Sequence, residues 1–245
     1  MLINLLFYVC RKQVNLKIES ECYMGKSFYK CTNLIVGYHG YWVRLTYFGL
    51  IVAICGICFA LGGNLKYALI CLMISGICDA FDGRIANLKE RTDREKSYGI
   101  QIDALADIVN FGVLPAMIGY AILQNGSLGV IHVAIFSIYV LAALIRLAHF
   151  NVIEIELLGK KEKRTYYEGL PVTTVALIIP VIFFLCDILA LPLSIVYPAS
   201  LAVFALAFVL KVKIPKLNPP AIFLFCLLGL PAVVYILVKG VSNNV

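Results

Sequence analysis

Four aspartates lie within long apolar stretches of this chain: Asp79 and Asp82, three residues apart, and Asp103 and Asp107, four apart. On a helix, spacings of three and four put side chains on one face. A carboxylate at the centre of a membrane helix costs roughly 2.5–3.5 kcal/mol on insertion scales, so such residues normally face a partner, an ion or a water-filled cavity. Oxygen ligands unaccompanied by cysteine or histidine suit hard cations such as Mg²⁺, Mn²⁺ or Ca²⁺. Two divalent cations would balance four carboxylates, which would otherwise repel one another. Gly83 and Gly99 adjoin the two pairs, and a missing side chain lets a ligand or another backbone come close.

The elements that carry these residues follow from composition. Of 245 residues, 62% are hydrophobic and 14% charged, with 21 Lys+Arg against 14 Asp+Glu, and the mean hydropathy is +0.92. Soluble chains average about 25% charged and about 45–50% apolar residues. A soluble domain, a disordered chain, a coiled coil and a nucleic-acid-binding domain are therefore disfavoured, despite the net charge of +7. A span needs about 20 mostly apolar residues. The uncharged runs predict helices over 45–63, 65–88, 97–123 and 128–150, with Gln124-Asn125-Gly126-Ser127 as a turn. The stretch 169–210 holds one charge, Asp187, and is long enough for two helices divided at Leu191-Pro192 or Tyr197-Pro198; a last run covers 217–238. The expectation is an all-α, polytopic transmembrane bundle of about six to seven spans.

The helices bearing the aspartates are joined by a short charged loop and are expected to run antiparallel. In such a hairpin Asp79 matches Asp107 in depth, and Asp82 matches Asp103. At about 1.5 Å per residue, all four sit roughly 9–15 Å inside the membrane boundary. Basic residues gather on the cytoplasmic side of short loops. Lys89, Arg91, Arg94 and Lys96 follow the second helix, Lys160, Lys161, Lys163 and Arg164 the fourth, and Lys211, Lys213 and Lys216 the sixth. This alternation predicts a cytoplasmic N-terminus and a site facing the cytoplasm, while Lys160–Arg164 reads as a solvated loop meeting anionic headgroups. Residues 1–43 read as a cytoplasmic or interfacial segment, with 1–23 an upstream extension if Met24 is the start. Arg11-Lys12 follow the first apolar stretch instead of preceding it, unlike a secretory signal. Residues 44–240 form the membrane-embedded domain. The cysteines within spans read as small buried hydrophobes.

Asp79-Ala-Phe-Asp82-Gly83-Arg-Ile-Ala86-Asn87, followed by Gly99-Ile-Gln-Ile-Asp103-Ala-Leu-Ala-Asp107, resembles the signature of the CDP-alcohol phosphatidyltransferases, D-x-x-D-G-x-x-A-R…G-x-x-x-D-x-x-x-D. Asn87 stands where the family has arginine, and the gap to Gly99 is a few residues longer than usual. Three further segments look like the integral-membrane phosphatidylserine synthases of bacteria. These are Ile102 to Pro115, Arg146-Leu-Ala-His149-Phe150-Asn151-Val152, and Tyr166-Tyr-Glu168-Gly169-Leu-Pro171; the family usually shows arginine where His149 stands.

The resemblance implies transfer of the phosphatidyl group from CDP-diacylglycerol to L-serine, giving phosphatidylserine and CMP. It implies that Asp79, Asp82 and Asp103 hold two Mg²⁺ or Mn²⁺ ions on the pyrophosphate. Asp107 would touch the second ion and act as general base toward the serine hydroxyl. Gly83, Ala86, Asn87, Lys96, Ser97 and Gly99 would border CDP-diacylglycerol. The phosphate contact of the absent arginine would pass to Arg84, Lys89, Arg91 or Lys96. Arg146 reads either as a snorkelling side chain or as an anion clamp for the serine carboxylate or lipid phosphate, with Asn151 and Glu168 as further residues of the acceptor pocket. The resemblance also suggests a homodimer and a bacterial plasma membrane.

Other acceptors, such as glycerol 3-phosphate or inositol phosphate, belong to the same chemistry. Cation or proton transport is the competing class, since paired intramembrane carboxylates also make ion pathways. Against transport, the carboxylates lie toward one face, away from the midplane where transporters bind, and no second acidic hairpin follows. A catalytically inactive scaffold is the third class.

Overall fold

The computed structural model describes residues 37, 38, 40–86, 91–124, 128–160, 166–211 and 213–215, without the side chains of 84, 158–160, 166–168 and 213–215. Helix α1 (Tyr41–Leu61) turns sharply into α2 (Leu65–Ala86). Gly63 adopts a φ of 76° there, a conformation that a side chain would disfavour. The buried residues of α1 are Val43, Thr46, Gly49, Ala53, Gly56 and Ala60, a single stripe at helical spacing. In lipid, helices associate through close packing of small residues, because the surroundings are as apolar as the interface. Gly56 shows how close: a Cβ there would lie 2.8 Å from Cys71 Cβ and 3.1 Å from Leu114 Cδ1. The opposite face of α1 exposes Phe48, Ile51, Ile54 and Leu61, as suits contact with lipid.

Helix α3 runs from Asp93 to Leu123. It starts at a capping box in which Thr92 Oγ1 accepts from the Glu95 amide at 3.3 Å and Glu95 Oε2 accepts from the Thr92 amide at 2.9 Å. That T-x-x-E box satisfies two otherwise orphaned donors, which is why the helix begins at Asp93 and not near Ser97 as hydropathy predicts. Arg94 and Lys96, expected in the loop, are in its first turns.

At Ile108–Val113 the same helix widens into a π-turn before resuming as Leu114–Leu123. Pro115 has no N–H to give the Phe111 carbonyl four residues earlier. The buried Tyr139 hydroxyl donates to that carbonyl instead. Tyr197 in turn donates to the Pro115 carbonyl at 2.8 Å.

Tyr139 belongs to α4 (Val130–Lys160), which continues ten residues past the predicted end at 150. Apolar positions persist there beside Glu154 and Glu156, so charge marks the end of an apolar run without ending the helix. A 3₁₀ turn (Val172–Thr174) leads into α5 (Val175–Ile188), and α6 covers Leu193–Val209. Ala190, at φ 51°, closes α5, and Pro192 caps α6. The division therefore falls at Leu191-Pro192, and Pro198 lies inside α6. Strands β1 (Tyr166–Glu168) and β2 (Lys213–Pro215) pair antiparallel, Tyr167 opposite Ile214; the other elements among the described residues are helices. The largest fully buried side chains include Leu69, Leu72, Phe111, Leu114, Tyr139, Ile179, Tyr197 and Phe208, so the core gathers around α3, with α2, α4, α5 and α6 contributing.

Among the described residues three helices, Tyr41–Leu61, Asp93–Leu123 and Val130–Leu157, are long and apolar enough to cross a membrane, and Val172–Ile188 and Leu193–Val209 are shorter apolar helices. The N-terminal segment up to residue 36, the basic run 161–164 and the run predicted over 217–238 lie outside the described residues.

Candidate metal centre

Helix α2 supplies Asp79 and Asp82, and α3 supplies Asp103 and Asp107. One carboxylate oxygen from each of Asp79, Asp103 and Asp107 lies within 4.8 Å of the others. The carboxyl groups of Asp79 and Asp107 are within hydrogen-bonding reach of each other, as are those of Asp82 and Asp103. This is the pairing by depth that antiparallel helices predict. Asp82 and Asp107 are buried, while Asp79 and Asp103 are half-buried. Asp82 stands beside the trio, and its Oδ2 accepts a hydrogen bond from Thr46 Oγ1 at 3.0 Å.

The donor set fits a hard divalent cation. Metal–oxygen distances of about 2.0–2.6 Å let one ion span oxygens up to roughly 4–5 Å apart, and the trio's oxygens all lie within 4.8 Å of one another. Asp103 Oδ1 is buried without a hydrogen-bond partner. A buried acceptor of this kind is costly unless something pairs with it, and a cation would do so.

The two glycines beside the carboxylates differ in their surroundings, Gly83 being exposed. A Cβ on Gly83 would meet no atom within 4 Å, whereas one on Gly99 would lie 3.3 Å from Arg91 Nη1. Gly99 is one turn before Asp103, so the Arg91 guanidinium lies one helical turn from the carboxylates. Its Cζ is also 5.9 Å from the centre of the Trp42 ring. Lys96 pairs with Asp93 at 3.5 Å on the exposed side of α3, a surface contact worth little energetically. Ser97 and Ala86 are half-buried near the same end of the helices. Asn87 and Lys89 lie outside the described residues, and for Arg84 only the backbone is described.

Arg146 is 6% exposed, which excludes snorkelling. It donates from Nη2 to the Gly169 carbonyl at 3.3 Å and from Nε to the Leu170 carbonyl at 3.4 Å. Because α4 continues to Lys160, Arg146 sits well inside the helix. Its bonds hold the chain between β1 and the 3₁₀ turn against α4. Asn151 is half-buried further along α4, and Glu168 is described only by its backbone in β1.

Three features of this region escape sequence reasoning. Thr46 reaches Asp82 from a helix without carboxylates; its signal is a polar residue on the small-residue stripe of α1. Tyr47 and Tyr98 bring their hydroxyls to 3.2 Å, linking α1 to the start of α3. Asn110, within the π-turn, is buried with Oδ1 unpartnered, and Pro115 is its only local cue.

The profile of the CDP-alcohol phosphatidyltransferase family matches residues 44–213. The chain is similar to three proteins named CDP-diacylglycerol–serine O-phosphatidyltransferase. With that of Saccharomyces cerevisiae it shares 42% identity over 111 residues, 44% of this chain and 38% of the yeast protein. With that of Helicobacter pylori it shares 36% identity over 89 residues, 36% of each chain. With that of Mycobacterium bovis it shares 30% identity over 128 residues, 52% of this chain and 43% of the relative. The matches thus span less than half the length of these relatives. The family profile, by contrast, takes in both aspartate pairs and every helix from α2 to α6, and on that match the chain belongs to the CDP-alcohol phosphatidyltransferase family.

Proposed function

We propose that this chain transfers a phosphatidyl group from CDP-diacylglycerol to the hydroxyl of L-serine, giving phosphatidylserine and CMP. The observation that carries this reading is the convergence of Asp79, Asp103 and Asp107 from two helices to within 4.8 Å, in a chain whose family acts on CDP-alcohols. The names of the relatives support serine as the acceptor.

Asp79, Asp82 and Asp103 would hold two divalent cations, Mg²⁺ or Mn²⁺, with Asp107 shared. When bound, such cations neutralise and orient the diphosphate for in-line displacement. Asp107 accepts the proton of the serine hydroxyl as its oxygen attacks the phosphorus bearing diacylglycerol. The new bond is serine oxygen to phosphorus, the broken one is phosphorus to the bridging oxygen, and CMP leaves with that oxygen. Asp79, in reach of the Asp107 carboxyl, orients it. Gly83 and Gly99 border the nucleotide, together with Ala86, Asn87 and Ser97. Of the basic residues that follow Asn87, Arg91 is best supported for the diphosphate, because its guanidinium stands against Gly99 and Lys96 turns to Asp93. Arg146, by holding the Gly169–Leu170 backbone, fixes the chain that follows Glu168. Residues 44–240 would be the membrane-embedded catalytic domain, with the site open to the cytoplasm where the basic loops lie.

The test follows CMP release from purified protein given CDP-diacylglycerol and one acceptor at a time. Release that depends on serine is expected. Release with glycerol 3-phosphate or inositol phosphate, and none with serine, overturns the acceptor; no release with any alcohol, alongside cation flux in proteoliposomes, overturns the reaction.

A further inference from the structure

We propose that Thr46 of α1 is a positioning residue for the metal centre: its hydroxyl fixes which oxygen of Asp82 is left to meet a divalent cation. Helix α1 thereby becomes part of a centre to which it contributes no carboxylate. The inference rests on the cation reading given above.

Thr46 Oγ1 donates to Asp82 Oδ2 at 3.0 Å across 36 positions of sequence, with both residues buried. A threonine inside a helix commonly turns its hydroxyl back to a carbonyl of its own helix; here the bond goes to a neighbouring helix. Two heavy atoms on Cβ restrict χ1, so the direction of the hydroxyl is set by the placement of α1. A neutral donor also holds the carboxylate without neutralising it. A lysine or arginine there would compete with a cation, whereas a hydroxyl leaves the negative charge available. With Oδ2 holding the threonine's hydrogen, Oδ1 is the oxygen free of that bond and the favoured ligand atom. Asp82 is also the aspartate outside the 4.8 Å trio, in reach of Asp103 and held from the other side by Thr46.

The contact needs α1 close to α2, and the packing supplies this. A Cβ on Gly49, one turn along from Thr46, would lie 3.3 Å from Cys78 Cβ, one turn before Asp82. The stripe that packs the two helices therefore also delivers the hydroxyl.

Cation binding to the full-length protein in detergent, without lipid substrate, tests this. Mn²⁺ binding is read by loss of the free-ion electron paramagnetic resonance signal and by the Mn²⁺-dependent rise in melting temperature. Thr46→Val keeps the shape and removes the donor, and is expected to weaken Mn²⁺ binding about 10–100-fold, as loss of an outer partner of a metal ligand does. Thr46→Ser keeps the donor and is expected to bind close to wild type. If Thr46→Val is not recovered folded, Thr46→Ala removes the same hydroxyl and carries the same expectation. A Val or Ala variant that melts lower without Mn²⁺ but binds it as wild type does would show a packing role only and overturn the inference. Wild-type protein that binds no Mn²⁺ would overturn the cation reading, and this inference with it.

Discussion

Tyr139 of α4 donates its hydroxyl hydrogen to the carbonyl of Phe111 in α3, a carbonyl to which Pro115, four residues on, has no N–H to give. The bond lies one turn beyond Asp107 and at the widened part of α3. A π-turn inserts a residue into the helical register and so re-aims the side chains on either side of it. The direction of Asp107 is therefore set by three things together: the proline that frees the carbonyl, the tyrosine that takes it, and the π-turn between them.

Tyr139→Phe keeps the ring and removes the donor. The buried Phe111 carbonyl would then lose the tyrosine's hydrogen bond, at about 1 kcal/mol in this setting. A lowered melting temperature is expected, with turnover falling more than the KM for serine because Asp107 loses its register. Unchanged melting and unchanged turnover would show that water or a shifted backbone satisfies the carbonyl.

Asp107→Asn preserves size and removes both the proton acceptor and one negative ligand. Turnover is expected to fall on the order of 10²–10⁴-fold, while the protein still inserts and folds. EDTA should abolish turnover in the wild type, and added Mg²⁺ or Mn²⁺ should restore it. Near-normal rates in either experiment would remove Asp107 as the base or the cations as participants.

Arg91 faces Gly99, whereas the family places its arginine where Asn87 stands. Arg91→Ala is expected to raise the KM for CDP-diacylglycerol about tenfold, the loss of roughly one charge-assisted contact, with a smaller change in kcat. Adding Asn87→Arg should recover most of that loss. A purely structural Arg91, stacked on Trp42, would not be rescued from position 87.

The acidic pairs were legible in the sequence because charge inside an apolar run is conspicuous and helical spacing assigns it a face. The pairing of Asp79 with Asp107 followed from the antiparallel hairpin alone. Helix ends were less legible: hydropathy finds where charge begins, and the capping box at Thr92–Glu95 and the charged last turns of α4 place helix ends elsewhere. Thr46 and Tyr139 were not legible as partners of Asp82 and Phe111, because each contact joins helices whose relative rotation no local pattern specifies. The stripe through Thr46, Gly49, Ala53 and Gly56 did carry that rotation, but only once α2 is known to be the neighbour it packs against.

Gly83 separates substrate space from protein packing. A Cβ there would meet no protein atom within 4 Å, so Gly83→Ala introduces no internal clash. Alanine is also the better helix former, by up to about 1 kcal/mol in a helix interior. The melting temperature should therefore stay level or rise. If the open space beside Asp82 is where CDP-diacylglycerol lies, the added methyl should nevertheless raise its KM, and Gly83→Val should raise it further. The two readouts move in opposite senses, which a change in fold alone would not produce. Full activity in both variants would place the substrate elsewhere along the carboxylates, on the Gly99 side, where alanine would instead push against Arg91.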